Sequence, residues 1–445
     1  MSDLVARVRE VLPDVRRDLE ALVEIESVWS DPARHDEVHR SAQSVAELLR
    51  EAGFAHVEIV SEGGAPAVIA HHPAPPGALT VLLYAHHDVQ PEGDPAQWDS
   101  PPFTPTERDG RLYGRGTADD KAGIATHLAA FRAHAGRPPV GVTVFVEGEE
   151  ECGSPSLGRL LAVHGHQLAA DVIVIADSDN WSVDVPALTV SLRGLVDCVI
   201  EVSTLDHGLH SGIWGGVVPD ALTALIRLLA TLHDDDGNVA VVGLHESRAA
   251  AIDRGAQWVR DESGLLDGVA EIGSGTVAQR LWAKPAITVI GIDTTPIARA
   301  SNTLIPSAKA KISMRVAPGG DAAAHLDALQ RHLETHAPWG ARVTVTPGDI
   351  GQPYEIDATG GVYDAARSAF RQAWGVDAVD MGMGGSIPFI AEFAEAFPDA
   401  TILVTGVEDP GTQAHSVNES LHLGVLERAA TAETLLLGML GTQVD

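Results

Sequence analysis

VTVFVEGEEECGS, residues 142–154, is the stretch on which the reading of this chain turns. Val142, Val144 and Val146 alternate with Thr143 and Phe145, a composition suited to a pleated, buried strand. The strand then gives way to Glu147, Gly148, Glu149, Glu150 and Glu151. Crowded carboxylates raise one another's pKa, so an apolar strand that ends in them is costly. Solvation on a loop relieves that cost, and so does a bound cation; these thirteen residues alone leave both open.

The rest of the chain bears on that choice. At 445 residues it is too long for one simple core, and two domains are expected. Apolar residues make up 45%, and no run of about 18 of them reads as a membrane span. The N-terminal stretch MSDLVARVREVLPDVRRDLEALVEI reads as an amphipathic helix without the apolar core or cleavage site of a secretion signal. Only Cys152 and Cys198 are present, too few for a disulfide framework, and the expected compartment is the cytoplasm. A net charge of −32 argues against nucleic acid or an anionic membrane as partner.

Along the chain, helices are expected over 3–26 and 36–53, short strands over 57–60 and 67–70, and a buried strand over 79–84 that runs into Ala85, His86, His87 and Asp88. DGRLYGRGTADDKAG (109–123) gives a glycine-rich turn before a helix that begins near Asp119. A further buried strand, 171–176, ends at Asp177. From about 187 the order becomes α+β, with strands over 187–202, 286–292 and 308–316 and helices over 219–233 and 321–336. After 350 the α/β rhythm returns, with a helix over 361–374, a strand over 401–405 and a last helix over 419–440. The expected organisation is an α/β domain (1–188 and 351–445) with a mainly parallel central sheet, interrupted by a smaller α+β domain (189–350).

Four buried strands thus end in or just before possible ligands: LTVLLYA before His86 and Asp88, VTVFVEG before the glutamates, DVIVIA before Asp177, and TILVTG leading towards His415. In open α/β sheets, ligands gather beyond the carboxyl ends of the strands. Two histidines with several carboxylates and no thiolate suit zinc, cobalt or manganese, and the lack of cysteine argues against a structural zinc site. A carboxylate can bridge two cations about 3.5–4 Å apart, and a free Glu beside them can move a proton, so the inventory suits metal-assisted amide hydrolysis.

YAHHDVQP (84–91), GRGTADDKAG (114–123), EGEEECGS (147–154), LHSGIWGG (209–216) and AHSVNE (414–419) resemble the signatures of the M20 metallopeptidases, and within them the carnosinase-like and bacterial dipeptidase branch. The motifs fall in family order along nearly the whole chain. The resemblance implies a zinc-peptidase-like catalytic domain with an inserted lid and dimerisation domain, a homodimer, and two divalent metal ions, zinc before cobalt or manganese. It makes His86, Asp119, Glu151, Asp177 and His415 the metal ligands, with Asp119 bridging and the Asp119–Asp120 peptide cis. Glu150 becomes the general base acting on a hydroxide held between the metals, and Asp88 holds the tautomer of His86. His210 in LHSG is implied to reach the neighbouring subunit and stabilise the oxyanion. Arg315, Thr303, Gly385 and Ser386 are implied to bind the terminal carboxylate of the substrate.

Alternatives stand beside several of these assignments. The His-x-Asp spacing puts His86 and Asp88 on one strand face and leaves His87 as a neighbour. Asp177 directly ends its strand, whereas Asp179 lies two residues on. A shifted frame would make Glu149 the base and Glu150 a ligand. The dipeptidase branch usually carries an Arg-Glu pair before GGSIP; here Gly382 and Met383 stand there, which puts recognition of the substrate's amino-terminal side in question. The expected substrate is a dipeptide or similar small amide. The alternative is an N-acyl amino acid cleaved by a deacylase on the same scaffold; a two-metal phosphoesterase would want more Lys and Arg than these motifs offer.

Overall fold

The computed structural model describes residues 2–248, 251–385 and 388–442. Ser386 therefore lies outside the described residues. The chain divides into two compact units, Met1–Val190 with Ile356–Met381 and Pro388–Asp445, and Ser191–Glu355 with Gly382–Ile387.

In the first unit the strands run in the order His56–Val60, Ala67–His72, Gly141–Glu147, Thr80–His86, Val172–Ile175, Thr401–Val404, Ala187–Leu192. The middle of the sheet is parallel: Gly141–Glu147 pairs with Thr80–His86, that strand with Val172–Ile175, and Val172–Ile175 with Thr401–Val404. The pairs on either side are antiparallel. These four parallel neighbours are the apolar strands that sequence reading placed before potential ligands. Their continuous apolar character follows from cover on both faces. All seven residues of Gly141–Glu147 and all four of Val172–Ile175 are buried.

One face is covered by helix Lys121–Ala133, in which every residue except Arg132 is buried. It packs against Thr80–His86 and is itself enclosed by Ser2–Val23 and Leu423–Leu440. Tyr84 and Phe145 project from the other face and meet Phe389 and Phe393 of helix Pro388–Ala396; the Tyr84 and Phe389 rings stack at 4.3 Å.

The second unit is built on an antiparallel sheet in the order Ala286–Asp293, Ser307–Val316, Gly194–Ser203, Arg342–Gly351. Burial alternates along Ser307–Val316, so one face meets helices Ala221–Leu229 and Ala322–Thr335 while the other stays wetter. The stretch 187–202 is two strands, divided at Arg193. A Cβ on Gly194 would lie 2.5 Å from the Gly351 carbonyl oxygen and 2.6 Å from the Pro353 nitrogen, so only glycine permits this approach. Among the described residues no helix is long and apolar enough to cross a membrane.

Candidate metal centre

Each buried parallel strand delivers its polar end to the same rim. His86 is the last residue of Thr80–His86, and Asp177 follows Val172–Ile175 by two residues. Asp119 precedes helix Lys121–Ala133 by two residues, and its peptide bond to Asp120 is cis. His415 lies on the loop between Thr401–Val404 and the Ser420–His422 strand.

The Asp119 carboxylate stands between two imidazoles. Its Oδ1 is 3.0 Å from His86 Nε2 and its Oδ2 is 2.9 Å from His415 Nε2. Glu151 Oε2 lies 3.2 Å from His415 Nε2, while Asp177 Oδ2 lies 4.0 Å and Glu150 Oε2 3.9 Å from His86 Nε2. Two groups of ligand atoms result, His86 with Asp120 and Asp177, and Asp119 with Glu151 and His415; within each group the atoms are no more than 4.8 Å apart.

Asp120 belongs to the first group by distance, but its oxygens are engaged by backbone donors. Oδ2 accepts from His86 N at 3.2 Å, and Oδ1 accepts from Gly123 N at 3.2 Å as the helix N-cap. The Asp119 oxygens instead face the two imidazoles, of His86 and His415.

The glutamates of 147–151 separate by their partners. Glu149 is buried and accepts from Ala65 N at 3.0 Å and Ser156 N at 2.7 Å, so it ties the turn to its surroundings. Glu147 accepts from the Tyr84 hydroxyl at 2.8 Å, and burial pushes its carboxyl up to about 8. Glu150 has no hydrogen bond to its carboxylate among the described residues, and burial raises its pKa well above the ordinary carboxylate range, with His86 opposing. Glu151 is clasped by Gln90, whose Nε2 donates to Oε2 at 2.8 Å and whose backbone N–H donates to Oε1 at 3.0 Å.

His87 turns away from the cluster. Its Nε2 meets the Pro66 carbonyl at 2.8 Å, and burial lowers its pKa to about 4. His86 Nδ1 lies 3.0 Å from the main-chain oxygen of Asp88 and 3.4 Å from its Oδ1. The Asp88 carboxylate accepts from the backbone N–H groups of Glu150 and Glu151 at 3.1 and 3.2 Å. Asp88 thus orients His86 mainly through its carbonyl and uses its side chain to fix the acidic turn.

Electrostatics fit a cation. Burial disfavours the charged form of His86, yet Asp119 and Asp88 hold its pKa well above the ordinary value. Asp119 and Glu151 push His415 up to about 11, and burial pushes Asp177 up to about 7. Among the described residues, no Lys or Arg pairs with Asp119, Glu150, Glu151 or Asp177.

In the second unit, His210 and Thr303 are register partners across a short antiparallel ribbon. His210 is exposed, and its Nδ1 accepts from Gly212 N at 3.0 Å. Arg315 is opposite Leu195 on one side and Ala286 on the other. Gly385 lies on the loop that Arg193 holds by donating from Nε to the Gly384 carbonyl at 3.1 Å. Gly382 has a packing reason: a Cβ there would lie 2.7 Å from that of Trp282. The larger Arg of the dipeptidase pattern could not take this backbone position without displacing Trp282.

Sequence reasoning assigned nothing to Gln90, Arg115 or Glu419, although each lies inside a quoted motif. The available signal was a polar residue at the end of YAHHDVQP and of AHSVNE.

Residues 82–438 match the peptidase family M20/M25/M40. A cysteinylglycine-S-conjugate dipeptidase of Corynebacterium striatum is 34% identical over 436 residues, covering 95% of this chain and 94% of that protein. A β-Ala-His dipeptidase of Rattus norvegicus is 30% identical over 441 residues, covering 90% and 87%. The solved structure of the di-peptidase Dug1p from Saccharomyces cerevisiae superposes with a TM-score of 0.81 at 23% identity, covering 99% of this chain and 98% of that one. The chain belongs to peptidase family M20/M25/M40.

Proposed function

We propose that this member of the M20 peptidases is a two-metal dipeptidase that hydrolyses the peptide bond of dipeptides with a free terminal carboxylate. The observation that carries the reading is the Asp119 carboxylate, with one oxygen 3.0 Å from the His86 imidazole and the other 2.9 Å from that of His415. His86, Asp119 and Asp177 would hold one divalent cation, and Asp119, Glu151 and His415 the other, with zinc the first choice and cobalt or manganese compatible with the same donors. When bound, such a pair acidifies water and polarises the scissile carbonyl.

The chain's own residues would do the rest. Glu150, whose carboxylate has no hydrogen-bond partner among the described residues, would take the proton of the attacking water and deliver it to the leaving amine nitrogen. Asp88 would keep Glu150 in place through its backbone N–H, and Gln90 would aim Glu151. Arg315 would pair with the substrate's terminal carboxylate, with Thr303, Gly385 and Ser386 donating to it. A homodimer would bring the partner subunit's His210 to the oxyanion. The exposed Ile213, Trp214 and Val217 beside His210 support a second copy covering this surface.

The names of the relatives favour dipeptides such as Cys-Gly, its S-conjugates and β-Ala-His. The test is zinc-loaded enzyme against these substrates and N-acetylornithine. Turnover of dipeptides with Glu150→Gln slower by at least about 10²-fold, at unchanged metal content, is expected. Unaltered turnover in that variant removes Glu150 as base, and preference for N-acetylornithine moves the enzyme to the deacylases.

A further inference from the structure

We propose that the buried Arg115–Glu419 ion pair is the positioning element of the metal centre, fixing Asp119 and His415 from behind. The inference rests on the two-cation reading above. Glu419 is fully buried and Arg115 is 2% exposed. Arg115 Nη1 donates to Glu419 Oε2 at 2.6 Å, where Gly116 N also donates at 3.0 Å. Glu419 Oε1 accepts from Ala118 N at 3.1 Å and from Asp119 N at 3.2 Å. Every partner of this carboxylate is a donor, one guanidinium N–H and three backbone N–H groups. The backbone amide of the proposed bridging ligand is among them.

The other end of the pair reaches two more ligand-bearing segments. Arg115 Nη2 donates to the Ser416 carbonyl at 3.0 Å, one residue beyond His415, and to the Pro91 carbonyl at 3.3 Å, on the loop that follows His86 and carries Asp88 and Gln90. His415 has a φ of +61°, a region that non-glycine residues seldom occupy without surrounding support. The Arg115 grip on the next carbonyl provides such support. One ion pair thus joins three segments that are far apart in the chain.

Stability alone is a poor reason for such a pair. Burying both charges costs desolvation that their attraction barely repays, and a well-packed apolar pair is often as stable or more so. What the apolar pair cannot do is accept three backbone N–H groups while gripping two carbonyls. Residues that orient metal ligands in this way typically change metal affinity by 10–100-fold when altered.

The experiment is a calorimetric titration of metal-free protein with Zn²⁺, alongside urea unfolding of the same metal-free samples. The variants are Glu419→Gln, Glu419→Asp and the pair replacement Arg115→Met with Glu419→Leu. Wild type is expected to take two equivalents. Glu419→Gln is expected to be less stable and to bind its weaker equivalent about 10–100-fold less tightly. Glu419→Asp, which keeps the charge but is one methylene shorter, should fall between.

The pair replacement should regain metal-free stability without regaining affinity. It also carries the test if Glu419→Gln does not fold. Wild-type affinity in any folded variant that lacks the Glu419 carboxylate overturns the inference, and so does recovery of affinity together with stability in the pair replacement. A wild-type protein that takes up no zinc overturns the two-cation reading itself, and this inference falls with it.

Discussion

The two units place their polar residues by opposite rules. In the first, four parallel strands lie side by side and their apolar runs stop at one rim, so chain direction alone collects His86, the 147–151 turn, Asp177 and the path to His415. In the second, neighbouring strands run in opposite directions, and His210, Thr303 and Arg315 owe their places to register across the ladders. Parallel order here gathers like charge at one rim. Antiparallel order disperses single groups, each beside a different neighbour.

That contrast can be broken at Asp119. Asp119→Asn retains the volume but removes the shared negative charge, and kcat/KM should fall by more than about 10³-fold, because several kcal/mol of charge stabilisation leave with the cations. Metal content measured on the dialysed variant should drop in parallel. Wild-type zinc content with full activity would show that the rim gathers carboxylates for some other reason.

A smaller effect is expected in the second unit. Arg315→Met should reduce kcat/KM by about 10–100-fold on a free dipeptide, the scale of a charge-assisted hydrogen bond, with zinc content unchanged. The corresponding dipeptide amide should be affected far less. Equal losses on both substrates would remove Arg315 from carboxylate recognition.

The smallest effect sharpens the comparison within the first unit. His127 Nδ1 lies 2.9 Å from Glu433 Oε1, and its Nε2 lies 3.0 Å from the Tyr84 carbonyl. Burial opposes the charged ring, but Glu433 and the carbonyl raise its pKa above the ordinary 6.5. Because the folded pKa is the higher one, this contribution is complete below about pH 6.5 and fades as pH rises through the folded value. The difference in urea midpoint between wild type and His127→Gln should therefore be larger at pH 6 than at pH 9. A difference that grows with pH would show that the ring is neutral in the folded state.

The legible part of this molecule follows from the same contrast. An apolar run that ends in His-His-Asp or in a row of glutamates identifies itself locally, so the rim could be read from the chain. Spacing could not sort Glu149 from Glu150, because the sorting is done by Ala65 N, 84 residues away in sequence, and by Ser156 N. The pairing of His210 with Thr303 was equally hidden, since a ribbon of two residues per strand has no periodicity to detect. Strand Arg342–Gly351 was missed because Pro347 and the irregular register between Pro347 and Ile350 interrupt its alternation. Glu419 was overlooked for a different reason: it closes AHSVNE as one polar residue among several, and no spacing reveals that its partners are mostly backbone amides.

The parallel order has a consequence for how the protein is made. Strand Val172–Ile175 has Thr80–His86 on one side, but its other neighbour, Thr401–Val404, is more than two hundred residues downstream. During synthesis a fully apolar strand therefore waits with one row of amides and carbonyls bare while the whole second unit emerges from the ribosome. The chain is most open to sticking to its own kind in that interval, and the segment that ends the exposure also leads into the loop carrying the last histidine of the rim.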